Sequence, residues 1–248
     1  MKKLLITTVL INAFSQVAYA DTQELTMDGE FGFIFATGNT ETTSASAGLT
    51  LKQELEKWSN EFAFNGLYKQ DQVTVGEGAD AEDVDQTTAQ KIFASGQGNY
   101  KLDNPDHRIF VFGSYEDDRF SNFKSQSTVA VGWNQKVWEN ETSSFDYSIG
   151  PGYSFAETQA GEDYDSAILR GAFNFTRTIS ETSKFTQTFS TEIGADNTKS
   201  RAESALTAQI AGALSMKLSI RLDHNSDVAD DLENLDTETA VTLVYSFF

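Results

Sequence analysis

The chain has 248 residues, 39% of them hydrophobic, with two prolines, seventeen glycines and no cysteine. Without cysteine there can be no disulfide framework, no thiolate chemistry and no cysteine-held zinc. A net charge of −19 disfavours nucleic acid and anionic polymers as partners.

Residues 1–20 are expected to be a cleaved signal peptide: Lys2 and Lys3, an apolar run from Leu4 to Phe14, then Ala18-Tyr19-Ala20. The run is too short to cross a bilayer as a helix, and no later stretch approaches the ~20 apolar residues that a crossing helix needs. The remainder, 21–248, is expected to form one domain, with no linker or low-complexity segment.

From Leu25 on, period-two alternation dominates. Leu25 to Thr37 sets Phe31, Phe33 and Phe35 against Gly32, Ile34 and Ala36, and Thr37-Gly38-Asn39-Thr40 reads as a turn. Thr43 to Leu55 and Glu61 to Gln72 follow, the latter with Phe62, Phe64, Gly66 and Tyr68 on one face. Thr74 to Asp85 reads as a long loop carrying Glu77, Asp80, Glu82, Asp83 and Asp85. Thr88 to Leu102 alternates again. Arg108 to Asp118 is a strand whose faces stay unassigned, because Ile109, Phe110, Val111 and Phe112 are all apolar. Ser125 to Trp138, Phe145 to Phe155, Asp165 to Ile179 and Lys184 to Gly194 continue the pattern. Asp196 to Arg201 reads as a polar loop, Ala202 to Leu214 as a strand, Ser215-Met216 as a turn and Lys217 to Asn225 as a strand. A last loop, Ser226 to Asp236, holds Asp227, Asp230, Asp231, Glu233 and Asp236. The closing strand sets Thr239, Val241, Leu243, Tyr245 and Phe247 against smaller, more polar residues.

This pattern predicts an all-β fold, a transmembrane antiparallel up-and-down β-barrel of about 12 strands. The turns near 58, 105, 141, 181 and 215 fall at one end and are short. The connections at the other end are mostly longer and polar, as in membrane barrels. A soluble β-sandwich would also alternate, but it would not put small polar residues inside and Phe, Tyr, Val and Leu outside. The closing aromatics Tyr245, Phe247 and Phe248 suit recognition by the machinery that assembles such barrels. The expected location is the outer membrane, among its lipids and lipopolysaccharide.

Gly29-Glu30-Phe31 through Ala36-Thr37-Gly38-Asn39-Thr40, Ser114 to Ser121, Gly150-Pro151-Gly152-Tyr153, Asp223 to Asp227, and Leu243-Val244-Tyr245-Ser246-Phe247 together resemble the bacterial family of salt-induced outer-membrane proteins, a domain family of unknown function. The segment from Asp227 to Asp236 is more acidic than the family pattern, and Phe248 is added after the usual Tyr-x-Phe ending. The resemblance implies an outer-membrane barrel and no catalytic residue.

Candidate chemistry is sparse. His224 and Ser226 form a His-x-Ser pair like that of lipid A deacylases, with Glu238 or Asp223 as the acid behind the imidazole. The parity of His224 with Leu218, Ile220 and Leu222 argues against it. Asp80, Asp83, Asp227, Asp230 and Asp231 are the acids most available to a cation or to lipopolysaccharide phosphates, but neither acidic loop has calcium-loop spacing. No cofactor motif is present. Lys91, Lys101, Glu116, Asp118, Arg170, Arg177, Glu192, Lys217, Arg221, Asp223 and Glu238 are expected in the lumen, where mixed signs either pair to plug it or line a water path. The reading is a non-enzymatic barrel for envelope integrity or a narrow pore for small solutes. A lipid-acting hydrolase and a cation- or lipopolysaccharide-binding structural barrel are the alternatives.

Overall fold

A computed structural model of the protein describes residues 24–36, 42–75, 82–228 and 233–248. The expected signal peptide, the Thr37–Thr40 turn, Glu77, Asp80, Asp230 and Asp231 lie outside the described residues, as does the Asp83 side chain. The strands are β1 (Glu24–Ala36), β2 (Thr42–Glu54), β3 (Trp58–Val75), β4 (Glu82–Lys101), β5 (His107–Asp118), β6 (Phe123–Glu139), β7 (Ser143–Thr158), β8 (Ser166–Ser180), β9 (Ser183–Ile193), β10 (Thr198–Ala211), β11 (Leu214–Asn225) and β12 (Leu235–Ser246). Each pairs antiparallel with its sequence neighbours, and β1 pairs with β12, so the sheet is a closed up-and-down barrel.

Alternation decides which side of this wall each residue meets. Phe33, Val111, Val131, Ile149, Leu169, Leu218 and Val241 point outward, and each is roughly half exposed or more. The buried side chains include Glu116, Gln126, Thr128, Asn134 and Arg170. A protein folded in water buries the opposite set. Outward Tyr68, Tyr115 and Tyr153 stand toward the loop end, and Trp58, Tyr100, Trp138 and Tyr245 toward the turn end. The outer face is thus an apolar band with aromatic rims.

Three boundaries depart from the sequence reading. Of the acidic stretch expected as a loop from Thr74 to Asp85, the described residues at both ends are paired strand, with Gln72 opposite Asp85 and Val75 opposite Glu82. β10 begins at Thr198, inside the stretch expected as a loop. The turn expected at Ser215-Met216 lies instead at Gly212-Ala213, where Gly212 takes φ +55° and supplies the left-handed residue of a tight reversal. Leu214, expected at the end of β10, therefore begins β11.

β6 and β7 approach closely at Gly132 and Gly150. A methyl at Gly132 would stand 2.5 Å from the Gly150 Cα, and one at Gly150 2.7 Å from the Gly132 Cα. The ladder passes from Ala130↔Gly152 to Trp133↔Ile149 without rungs between, at the place where Pro151 has no N–H to give. On the other side of Gly132 its cross-strand neighbour is Phe110, which is fully buried.

Candidate functional site

The lumen holds the only dense chemistry among the described residues. Its centre is built from two cross-strand rungs. Lys91 on β4 faces Asp118 on β5, at 3.6 Å. Arg201 on β10 faces Asp223 on β11, and the Arg201 Nε donates to the Asp223 carboxylate. Each rung is an ordinary neighbouring pair, and the two then exchange partners across the barrel. Lys91 Nζ lies 3.3 Å from Asp223, Arg201 Nη2 2.8 Å from Glu116, and Lys199 Nζ 3.3 Å from Glu116. Lys91 also reaches Glu116 at 3.3 Å, and Lys199 donates to the Gln126 side chain.

In the ring, β4 and β11 are separated by β3, β2, β1 and β12 on one side, and β5 and β10 by β6 to β9 on the other. These ion pairs therefore join facing walls. They form a latch that divides the lumen. Lys91, Lys199 and Arg201 oppose Glu116, Asp118 and Asp223, so the latch is charge-balanced. Balance matters because a charge withdrawn from water is tolerated only beside its partner.

Side chains of β6 to β9 reach across this part of the lumen, beside a cavity of about 30 Å³ lined by Gln126, Ser154, Ile168 and Glu192 among others. Thr128 Oγ1 donates to Glu192 at 2.8 Å across β7 and β8. The Arg170 guanidinium sits 3.7 Å above the Phe112 ring, and Glu192 is 3.6 Å from its Nε. Arg201 lies over Phe93 at 4.8 Å. The opposite side is leaner. Ser46, Thr50, Ala63 and Ala240 share the inward register of Glu30, and a second charge group, Glu30–Lys217–Glu203–Arg221, runs along that wall. The inward faces on that side thus carry mostly small and polar side chains beside the latch.

The expected lumen residues face inward with one correction. Arg177 pairs with Phe185 and Ser143 on the outward register and is exposed. It lies an odd number of residues from Arg170, so the two cannot share a face of one strand. The enzyme candidates do not converge. His224 lies on the outward register, opposite Ser200 and Leu235. The Ser226 hydroxyl accepts from the Thr198 N–H at 2.8 Å and donates to Asn197 at 3.3 Å. Glu238 and Asp223 point to the lumen, the first 3.9 Å from Arg221. Asp227 is exposed, its N–H bonded to the Asn197 side chain. Among the described residues no group of three or more His, Cys, Asp or Glu is placed to hold a metal.

Lys199, Arg201, Glu30 and Glu203 also face the lumen, beyond the residues expected there. The first two lie in Thr198-Lys199-Ser200-Arg201, where both phases are polar and no alternation marks a strand. Counting outward from the alternation that begins at Ala202 would have put Arg201 and Lys199 on the lumen phase.

The barrel resembles solved outer-membrane channels. The NanC porin matches with a TM-score of 0.52 at 10% identity, covering 88% of this chain and 98% of its own. An outer membrane channel from Pseudomonas putida F1 gives 0.51 at 8% identity, covering 93% and 98%. The likeness is one of fold. No curated protein matches the chain. Residues 29–247 match a family described as "Protein of unknown function, DUF481".

Proposed function

The chain belongs to the family of proteins of unknown function DUF481, and from that premise we propose that it is an outer-membrane barrel with a narrow lumen for small solutes, kept nearly shut by its own charges. The observation that carries this reading is the latch itself, ion pairs between facing walls with mostly small and polar side chains beside them. The apolar band with aromatic rims supports a bilayer around the barrel, as membrane barrels require. The shorter turns then face the periplasm and the longer loops the exterior. Outward Tyr245 and Phe247, with ring centroids 5.1 Å apart, and Phe248 are the groups we assign to contact with the assembly machinery.

In planar bilayers the purified protein is expected to give small, steady conductance steps. If none occur in any salt or at any voltage, the protein is a plugged barrel that serves envelope integrity.

The reading includes no chemistry of its own. A triad needs the nucleophile, base and acid on one side of the wall within hydrogen-bond reach, and here His224 and Glu238 face opposite sides. In cells overproducing the protein, His224→Ala and Ser226→Ala are expected to leave lipid A and phospholipid composition unchanged by mass spectrometry. Loss of an acyl chain on overproduction of the native protein, abolished by either substitution, would establish the hydrolase instead.

A further inference from the structure

Glu192 on β9 and Lys199 on β10 stand directly opposite each other on the inward register. Opposite charges on one rung attract and ordinarily pair. Among the described residues no ion pair joins these two, and each is held from elsewhere. Glu192 accepts from Thr128 at 2.8 Å and lies 3.6 Å from the Arg170 Nε. Lys199 lies 3.3 Å from Glu116 and donates to the Gln126 side chain. The rung is thus split, its two charges drawn apart by partners on other strands. Both line the cavity of about 30 Å³ at the loop end of the lumen.

The groups around this cavity can be reached. The Glu192 and Lys199 side chains keep 13% and 21% of their surface exposed. Ser154 and Ser166 face each other across β7 and β8 and line the same space. Their hydroxyls have no partner among the described residues, and neither is sealed within the protein. The rim is tied down, so the space is formed in advance. Tyr164 exchanges backbone bonds with Ala156 at 2.7 and 3.2 Å, and its ring stands edge-on to Phe123 with centroids 5.9 Å apart. The Gln159 side chain donates to the Asp118 and Ser121 carbonyls at 3.0 and 3.2 Å. The cavity holds about two waters, which is room for a very small solute.

We infer that this cavity binds a small zwitterion of the amino-acid class, its carboxylate on Lys199, its ammonium on Glu192 and its edge on the Ser154 and Ser166 hydroxyls. Such a solute completes the rung that the two side chains leave open, because it brings each of them the opposite charge through a charge-assisted hydrogen bond. A simple cation would meet Lys199 as a like charge, and a simple anion would meet Glu192. An uncharged solute gains from neither. The inference rests on the reading of the lumen as a passage for small solutes, and the test separates the two.

The purified protein in non-ionic detergent is mixed in turn with glycine, with its uncharged isomer glycolamide, with glycolate and with ethanolamine, at constant ionic strength. Saturation transfer from protein to ligand protons is recorded by NMR. Transfer is expected to glycine and to none of the other three at equal concentration. No transfer to glycine overturns the site, and equal transfer to any of the others overturns the zwitterion. Glu192→Gln is expected to reduce transfer to glycine at least tenfold. Ser154→Val, which fills the cavity and leaves both charges in place, is expected to do the same. Each variant is first checked for the fast migration of an unheated barrel on a denaturing gel, and native transfer in either folded variant overturns the location. Swelling of proteoliposomes in isosmotic glycine tests the passage itself. Swelling without saturation transfer overturns the inference and leaves the passage standing. Saturation transfer without swelling leaves the site standing and overturns the passage.

Discussion

Glu116→Ala and Arg201→Ala are each expected to raise the single-channel conductance several-fold and to give the two variants opposite ion selectivity. Glu116 alone touches Lys91, Lys199 and Arg201. Its removal leaves those cations facing Asp118 and Asp223, one positive charge in excess. Removal of Arg201 leaves Glu116, Asp118 and Asp223 facing Lys91 and Lys199, one negative charge in excess. Breaking a buried ion pair from one side costs about 3–5 kcal/mol when the other charge stays out of water. In a lumen the unpaired charges have another course, which is to separate and take up water, and that movement opens the passage. Reversal-potential measurements across a salt gradient should show anion preference for Glu116→Ala and cation preference for Arg201→Ala. If both variants conduct like the native protein and select alike, the latch does not govern the passage.

A second large effect is expected at Gly150. Its missing side chain is what lets β7 approach β6, since any β-carbon there would strike the Val131 carbonyl and stand 2.7 Å from the Gly132 Cα. Both obstacles are backbone, so no rotamer change relieves them, and the cost exceeds the roughly 1–3 kcal/mol of ordinary overpacking. Gly150→Val should therefore lose the fast-migrating form on unheated gels. Gly66→Ala is the comparison, because a methyl there meets nothing within 4 Å, and its migration should be native. Equal migration of the two variants would show that the strands part without penalty.

How much of this was readable beforehand depended on whether one face of a strand was apolar and the other not. Phe145 to Phe155 and the strand ending at Phe247 meet that condition, and their outward and inward sets came out as the alternation required. Ile109 to Phe112 does not meet it. Ile109 and Val111 serve the outer band, while Phe110 and Phe112 pack within the lumen, so apolar residues stand on both sides for different reasons. Thr198 to Arg201 fails in the other direction, with polar residues on both phases. The partners of the latch were beyond reach for a further reason. Lys91 and Asp223 lie 132 residues apart, and only closure of the ring brings their strands face to face. Individual inward charges such as Lys91 and Asp223 were legible from parity, but not the bridges they form. The extent of the β1–β12 ladder, whose rungs run from Asp28↔Ser246 to Phe31↔Leu243, left no mark in the sequence, because both strands alternate evenly beyond it.

The latch and the short ladder that closes the ring, four rungs between β1 and β12 from Asp28↔Ser246 to Phe31↔Leu243, have a joint mechanical meaning. The ion pairs tie β4 and β5 to β10 and β11, and the arc β11–β12–β1–β2–β3–β4 contains that closing ladder. That arc is a hoop with a crossbar, so the load of keeping the ring closed falls on the crossbar as well as on the rungs between Asp28 and Phe31. A hoop braced in this way needs few rungs at its closing joint, because the ends on either side are held from behind.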